Sequence, residues 1–333
     1  MSASRVRLGS TSVEVTRLGF GAAPIGNLFT PVGDEDARSA IDTAWDAGVR
    51  FFDTAPLYGH GLSEERLGAS LRARPRSDYA VATKVGRLLV PDRAPPADGY
   101  VATPLFRPEF DFSHDATLRS LEASLERLGL DRVDVLHVHD PDDHAEEALR
   151  GAFPALRRLR DEGVIGAIGA GMNQSALLAR FVREAGVDCV LLAGRYTLLE
   201  QPALSDLLPL CAERGVSVIA AGVFNSGLLA DPRPGATYDY APASASLVER
   251  ARRLQSVCER HGVSLKSAAL RFPLAHPAVA SVLTGTRSAA EMAENARAFA
   301  APIPLRLWDA LRSEGLLPDG VPTPTAESEE TPA

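Results

Sequence analysis

Val49 to Gly61 reads V-R-F-F-D-T-A-P-L-Y-G-H-G, and the fold turns on this stretch. A short apolar run ends in a carboxylate, Asp53, and the chain then passes through Pro56 to a phenol, Tyr58, beside two glycines. The run has the length of a buried strand, and the Pro- and Gly-containing break after it marks a loop at the strand's carboxyl end. The design returns twice. Tyr79 to Gly86 (Y-A-V-A-T-K-V-G) carries Lys84 near its end, and Arg132 to His139 (R-V-D-V-L-H-V-H) ends in a histidine. Asp, Tyr, Lys and His at the mouths of different strands are the parts of a proton-transfer site. The pattern points to an enzyme.

Working outward, one rhythm recurs: helix, Gly-Val, short apolar strand, small residues, next helix. It appears at Gly163-Val164, Gly186-Val187 and Gly215-Val216. Strands beginning near Leu18, Val49, Tyr79, Arg132, Val164, Asp188, Val216 and Val279 make eight, with helices between them. Asp34 opens the first helix, and Ser63 is the expected N-cap of the second. Apolar strands alternating with helices mean a parallel sheet covered by helices. Eight such units in a 333-residue chain fit an α/β fold of the closed (β/α)8 TIM-barrel type. Arg5 to Leu18 alternates around Gly9-Ser10 and predicts an N-terminal β-hairpin before it. An open doubly wound sheet is the competing arrangement, but no G-x-G-x-x-G follows an early strand.

Two connections exceed ordinary loop lengths. Leu88 to Phe112 holds five prolines, and Gly222 to Ser246 contains Asn225, Tyr238 and Tyr240. Both follow strands, so both should overhang the C-terminal face of the barrel as substrate or cofactor lids. A single barrel domain is expected over residues 1–317, with an acidic, proline-rich, disordered tail over 318–333.

A net charge of −8 argues against a general nucleic-acid binder. Three scattered cysteines give neither a disulfide framework nor a zinc site. No stretch of about 20 apolar residues occurs to span a membrane, and no apolar leader opens the chain. A cytoplasmic protein acting on a small molecule, with no nucleic-acid or membrane partner, is expected. Its oligomeric state is not legible.

Residues at i and i+2 of a strand point the same way. Asp53 therefore shares the barrel interior with Phe51, Lys84 with Ala82, and His139 with His137. An ordinary tyrosine, with a pKa near 10, is a poor acid or base at neutral pH. A nearby lysine ammonium should lower that pKa, an aspartate paired with the lysine should keep it charged and aimed, and a histidine can hold the substrate oxygen. Taken singly, Asp53 reads as a helix cap, Lys84 as a solvated edge and Tyr58 as packing. Their joint arrival at strand mouths favours a site. His137, one layer deeper, reads as an interior histidine. The string His137 to His144 (H-V-H-D-P-D-D-H) invites a zinc reading, but the later His261 and His276 end no apolar strand, so no metal is expected. Asp142, Asp143 and His144 read instead as caps of the following helix.

These residues resemble the aldo-keto reductases: F-F-D-T-A-P-x-Y-G with Asp53 and Tyr58, A-T-K-V-G with Lys84, and D-x-x-x-x-H with Asp134 and His139. The resemblance runs from about Val6 to Pro318. The strings H-V-H-D-P-D-D-H, A-G-R-Y-T-L-L-E-Q and F-N-S-G-L-L-A are similar to the branch that oxidises aldoses of the L-fucose and D-threo-aldose type at C1, with pyridoxal 4-dehydrogenases close by. It implies a barrel using NAD or NADP, with Asp53, Tyr58, Lys84 and His139 as its catalytic tetrad. By the same resemblance Asn173 holds the nicotinamide carboxamide. Met172 and Ala193 replace the family's usual serine and glutamine there. The loop Val223, Phe224, Asn225, Ser226, Gly227 and Leu228 covers the pyrophosphate. Ala221 stands at the usual aromatic stacking position, leaving Tyr196 or Phe224 to stack. Gly285, Thr286, Arg287, Glu291, Glu294 and Asn295 form the adenosine stretch. Glu291 stands where NADP-preferring relatives carry an arginine, which favours NAD, although Arg287 could still hold a 2′-phosphate. A broad aldehyde or ketone reductase and a nicotinamide-sensing regulatory barrel are the alternatives.

Overall fold

In the computed structural model, which describes residues 5–94 and 96–325, the chain opens with the expected hairpin. β1 (Arg5–Arg7) pairs antiparallel with β2 (Glu14–Thr16). Leu8, Val13 and Val15 turn from it into the barrel's amino-terminal end and pack with Phe51, Ala82, Val135, Ala167 and Ile219. That plug is the interior core.

The barrel units follow in chain order: β3 (Leu18–Gly21), α1 (Asp34–Asp46), β4 (Phe51–Asp53), α2 (Leu62–Leu71) and β5 (Ala80–Val85). An antiparallel ribbon, β6 (Arg87–Pro91) with β7 (Phe106–Phe110), interrupts the rhythm. Then come α3 (His114–Leu128), β8 (Val135–His139), α4 (Ala145–Arg150), α5 (Ala152–Asp161), β9 (Ala167–Met172), α6 (Ser175–Glu184), β10 (Cys189–Ala193), α7 (Leu207–Arg214) and β11 (Ser217–Ala221). A small hairpin of β12 (Thr237–Tyr238) and β13 (Ala241–Pro242) precedes α8 (Ala245–Arg260), α9 (Leu265–Arg271), β14 (Val279–Gly285), α10 (Ala289–Ala300) and α11 (Arg306–Ser313). The strands β3, β4, β5, β8, β9, β10, β11 and β14 pair in parallel and close on themselves. The eight-unit barrel expected from the sequence is the fold.

Strand alternation sorts the side chains. Phe51 joins the interior cluster, whereas Phe52 joins the larger core between strands and helices, where Trp308 and Phe272 are also buried. Asp53, Lys84 and His139 therefore inherit interior positions at the carboxyl ends of β4, β5 and β8.

Several local expectations change. Ser63 does not cap α2. The cap is Gly61 at φ 95°, and the Ser63 hydroxyl donates to Ala22 O at 2.8 Å and meets Thr54 Oγ1 at 2.9 Å. The barrel interior claims the hydroxyl because Thr54 and Ala22 offer buried partners. His144 starts α4 without a side-chain cap bond and pairs instead with Glu147 at 3.1 Å. The first long segment is not a plain loop but the β6–β7 ribbon. The domain boundary also moves. Val321 is buried, and Arg312 Nη2 donates to Val321 O at 3.2 Å and Thr323 Oγ1 at 2.6 Å, so residues 318–325 belong to the packed body. The expected disorder of 326–333 lies outside the described residues. Among those residues, no helix is long and apolar enough to cross a membrane.

α2 and α3 cross so closely that a Cβ on Gly68 would stand 2.0 Å from Leu128 O. The same crossing buries Glu64 completely. It accepts from Arg127 Nε and from Thr83 Oγ1, both at 2.6 Å. Removing one partner of a buried ion pair leaves an uncompensated charge. Arg127→Ala should therefore lower the urea-unfolding free energy by about 3 kcal/mol, and Glu64→Gln added to it should recover part of that loss. No recovery in the double variant would contradict the buried-charge account.

Candidate active site

Lys84 is the best-anchored group of the mouth. Its ammonium donates to Asp53 Oδ2 at 2.7 Å and to Thr54 O at 2.8 Å, and both side chains of the ion pair are almost wholly buried. Asp53 is pushed above the usual carboxylate range by burial, with Lys84 pulling the other way. The Tyr58 ring centre lies 4.7 Å from Lys84 Nζ and 5.8 Å from the His139 ring, which stands edge-on to it at 87°. The structure thus brings all four expected residues together. Tyr58 is held there by a tight loop. Ser63 N donates to Tyr58 O, and Gly59, at φ 64°, lies so close to Gly26 that a Cβ would stand 2.3 Å from Gly26 O. Only glycine fits at that approach.

One electrostatic expectation is corrected. The Tyr58 phenol is raised well above its ordinary value rather than lowered. Burial is the main cause, the carboxylates of Asp53 and Asp140 add to it, and Arg87 alone opposes it. Asp53 spends the lysine charge before it reaches the phenol. His139 falls well below its ordinary value through burial and the Lys84 charge, and His137 falls for the same reasons to about 3. Asp134 of the D-x-x-x-x-H string is structural. Its Oδ2 accepts from Val81 N at 2.7 Å and from Arg76 Nη2 at 2.6 Å.

Other residues complete the mouth, and sequence periodicity missed them. Arg87, at the start of the ribbon, pairs with Asp140 at 2.8 Å and lies over Phe110. His60, at φ 51° and buried, meets Asp98 at 2.9 Å and so ties the ribbon to the Tyr58 loop. Tyr100 packs 6.3 Å from both Tyr58 and His60. Tyr240, from the second long segment, sits 5.8 Å from Phe29. For Arg87, His60 and Asp140 the available signal was adjacency to motif residues, whereas Tyr100 and Tyr240 lie in the two long segments already expected over the mouth.

The Aldo/keto reductase family model matches residues 17–313. The chain belongs to that family. It is similar to a D-threo-aldose 1-dehydrogenase from a Pseudomonas species, at 45% identity over 96% of this chain and 99% of the relative. It is also similar to a pyridoxal 4-dehydrogenase of Microbacterium luteolum, at 43% identity over 93% of this chain and 97% of the relative. Among solved structures, the holo form of an aldo-keto reductase from Bacillus halodurans superposes with a TM-score of 0.74, at 26% identity, over 98% of this chain and 100% of the other.

As an aldo-keto reductase the protein is an oxidoreductase that uses a nicotinamide cofactor. Its residues fit such a group. Buried polar atoms without partners among the described residues include Asn225 Oδ1, Thr284 Oγ1 and Thr286 Oγ1, and buried polar groups ordinarily find partners. They lie in the two stretches, Val223 to Leu228 and Gly285 to Asn295 with its preceding strand end, that the sequence singles out. Asn173 follows β9, half-buried at the mouth. Val223 and Leu228 are buried, and Asn225 and Ser226 adopt left-handed φ of 46° and 57° before Gly227 at 99°. Asn225 Nδ2 reaches Gly194 O and Glu200 Oε1 at 3.4 Å, and Tyr238 OH donates to Glu200. Phe224 is partly exposed. Tyr196 is not available to stack, because it is 1% exposed with its ring against Phe272 and His276. In the stretch expected to take the adenosine, Arg287 Nη2 is 2.9 Å from Glu291 Oε1, and the Arg287 backbone N–H donates to Glu291 Oε2 at 2.8 Å. Glu294 pairs with Lys266 at 2.6 Å, while Asn295 is buried.

Because folding depresses His137 and His139, the unfolded chain takes up protons below about pH 6.5 that the folded chain refuses. This stability is complete above that pH and is lost as the pH falls, by up to about 1.4 kcal/mol per unit for each histidine. Urea unfolding should therefore show lower stability at about pH 5.5 than at about pH 7.5, with a shallower dependence in His137→Asn. Equal pH dependence in the two proteins would contradict the neutral interior histidine.

Proposed function

We propose that this protein oxidises an aldose at its anomeric carbon to the lactone, with NAD as the cofactor. The observation that carries the chemistry is the buried Lys84–Asp53 pair beneath Tyr58, with His139 edge-on to the phenol at the barrel mouth. The sugar reading is supported by the D-threo-aldose 1-dehydrogenase relative, which covers nearly the whole chain. An L-fucose-type sugar is the first candidate.

The bound nicotinamide supplies the hydride acceptor. His139 Nε2, on a ring kept neutral by burial, donates to the substrate oxygen and orients it. In oxidation Tyr58 acts as its phenolate, the minor form at neutral pH because its pKa is raised, and accepts the hydroxyl proton as hydride leaves the carbon that bears it. Lys84, fixed by Asp53 and Thr54 O, cannot swing away and holds a cation below the phenol ring. In the reverse direction the neutral phenol is the proton donor, a form favoured by its raised pKa. Asn173, Val223 to Leu228, and Gly285 to Asn295 would hold the cofactor, and Phe224, partly exposed, is the aromatic left free to stack on it. NAD over NADP is supported by Glu291, whose carboxylate occupies Arg287 and would repel a 2′-phosphate.

A pyridoxal 4-dehydrogenase activity is the competing reading, supported by the second relative and by the aromatic mouth of Phe29, Tyr100 and Tyr240. Purified protein assayed for nicotinamide reduction with L-fucose, D-arabinose, L-galactose, pyridoxal and a simple alcohol separates them. Turnover of a sugar with NAD is the expected result. Turnover of pyridoxal alone would transfer the site to the competing reading. Because the phenol is raised, kcat/KM for oxidation should climb with pH through the alkaline range without a plateau at neutral pH. Tyr58→Phe should lose at least roughly 100-fold in kcat, the contribution of a positioned acid–base group, while the cofactor Kd stays near wild type. Glu291→Arg should shift the ratio of NADP to NAD use upward by roughly tenfold, the scale of one charge-assisted contact. An unchanged ratio would remove Glu291 from cofactor choice.

A further inference from the structure

A second ion pair stands beside the tetrad, and the proton-transfer chemistry does not use it. Asp140 directly follows His139 at the end of β8, and Arg87 follows Gly86 just past β5. These strands are neighbours, and the side chains meet at 2.8 Å, Arg87 Nη2 to Asp140 Oδ2. Asp140 is pinned at a left-handed φ of 41°, its N–H donating to Gly171 O at 3.0 Å. Non-glycine residues avoid that region, so the backbone, together with Arg87, sets where this part-exposed carboxylate stands.

The aim is toward the reacting centre. Asp140 Oδ2 is 3.5 Å from His139 Nε2, too long for a strong hydrogen bond but next to the nitrogen that orients the substrate oxygen. The Asp140 charge is also felt at Tyr58 and at Tyr240 across the mouth. Yet the pair keeps open bonding capacity toward the mouth, the Asp140 side chain being 31% exposed. Both contacts use Oδ2, and Oδ1 accepts from no partner among the described residues. Arg87 Nε is buried with no partner among them either. The Arg87 guanidinium is immobilised over the Phe110 ring at 4.5 Å. A fixed acceptor and a fixed donor thus lie side by side, a short step from the group that holds the reacting oxygen.

That is the complement of a second hydroxyl, which donates to one group and accepts from the other. We propose that Asp140 and Arg87 read the hydroxyl on the carbon next to the one being oxidised, and so select polyhydroxylated substrates over plain carbonyls. This rests on the aldose reading above. Asp140 is a specificity-determining residue here, and proton transfer remains with Tyr58. A pair that merely braced the ribbon would affect every substrate alike.

The test compares kcat/KM for an aldose and for its 2-deoxy counterpart, with NAD, in wild type, Asp140→Asn and Arg87→Lys. Wild type should favour the 2-hydroxy sugar by roughly tenfold or more, since a site built to bond a hydroxyl rejects the analogue that lacks it. Asp140→Asn should bring the ratio close to one, and Arg87→Lys should lower it in part. A wild-type ratio near one, or a large ratio that both variants keep, overturns the proposal. If Asp140→Asn does not fold, the wild-type ratio and Arg87→Lys still decide. The two failures look different. If wild type oxidises neither sugar, the aldose reading falls and this inference falls with it. If it oxidises the sugar but the variants leave the ratio unmoved, only this inference falls.

Discussion

The Lys84–Asp53 ion pair is the constraint around which the mouth is built. A lysine ammonium almost wholly removed from water is tolerable only when a counter-charge and hydrogen-bond acceptors replace its hydration. Asp53 Oδ2 and Thr54 O supply them, and they come from the end of one strand while the lysine comes from the next. The pair therefore fixes the register of β4 against β5 at the level where the Tyr58 loop departs. It also sets the surrounding electrostatics. Its cation helps to keep His137 and His139 neutral, while its anion helps to hold the phenol protonated. One ion pair thus reinforces the resting protonation that burial sets in three neighbours.

The rest of the mouth is assembled by contacts between distant segments. The His60–Asp98 contact clips the β6–β7 ribbon to the Tyr58 loop, and the Arg87–Asp140 pair links the base of the ribbon to the end of β8. On the far side Glu200 gathers Asn225, Tyr238 and Arg195 and so positions the second long segment. The two lids are framed by charge and hydrogen bonds rather than by apolar packing alone, which suits a pocket for a polar substrate under an extended cofactor.

Legibility in the sequence follows from whether a signal is local. Asp53, Tyr58, Lys84 and His139 each sit in a contiguous string at a strand end. Strand alternation alone therefore puts Asp53, Lys84 and His139 on the interior face, and the short Pro-Gly loop keeps Tyr58 beside them. The eight-unit barrel is legible for the same reason. Pairings across the chain are not. Nothing in the strings around Glu64 and Arg127 announces that a carboxylate will be wholly buried at a helix crossing. Tyr196 is a candidate to stack because Ala221 leaves the usual aromatic position empty, yet Phe272 and His276 arrive from much later in the chain to cover it. The direction of the Tyr58 shift is not legible either, because burial and two carboxylates outweigh the one opposing charge, Arg87, and only the fold reveals them. A boundary at residue 318 does not hold, since composition does not show that Val321 finds a buried place beside α11.

Direct hydride transfer from the sugar carbon, under control of the Tyr58 phenol, is the central claim. The most direct measurement is transfer of deuterium from C1-labelled aldose to the oxidised nicotinamide, read by mass spectrometry of the reduced cofactor and of the sugar product. Wild-type protein should return labelled reduced cofactor and a lactone in equal amounts, and Tyr58→Phe should return almost none of either. Reduced cofactor without the label, or labelled reduced cofactor formed equally well by Tyr58→Phe, would contradict it.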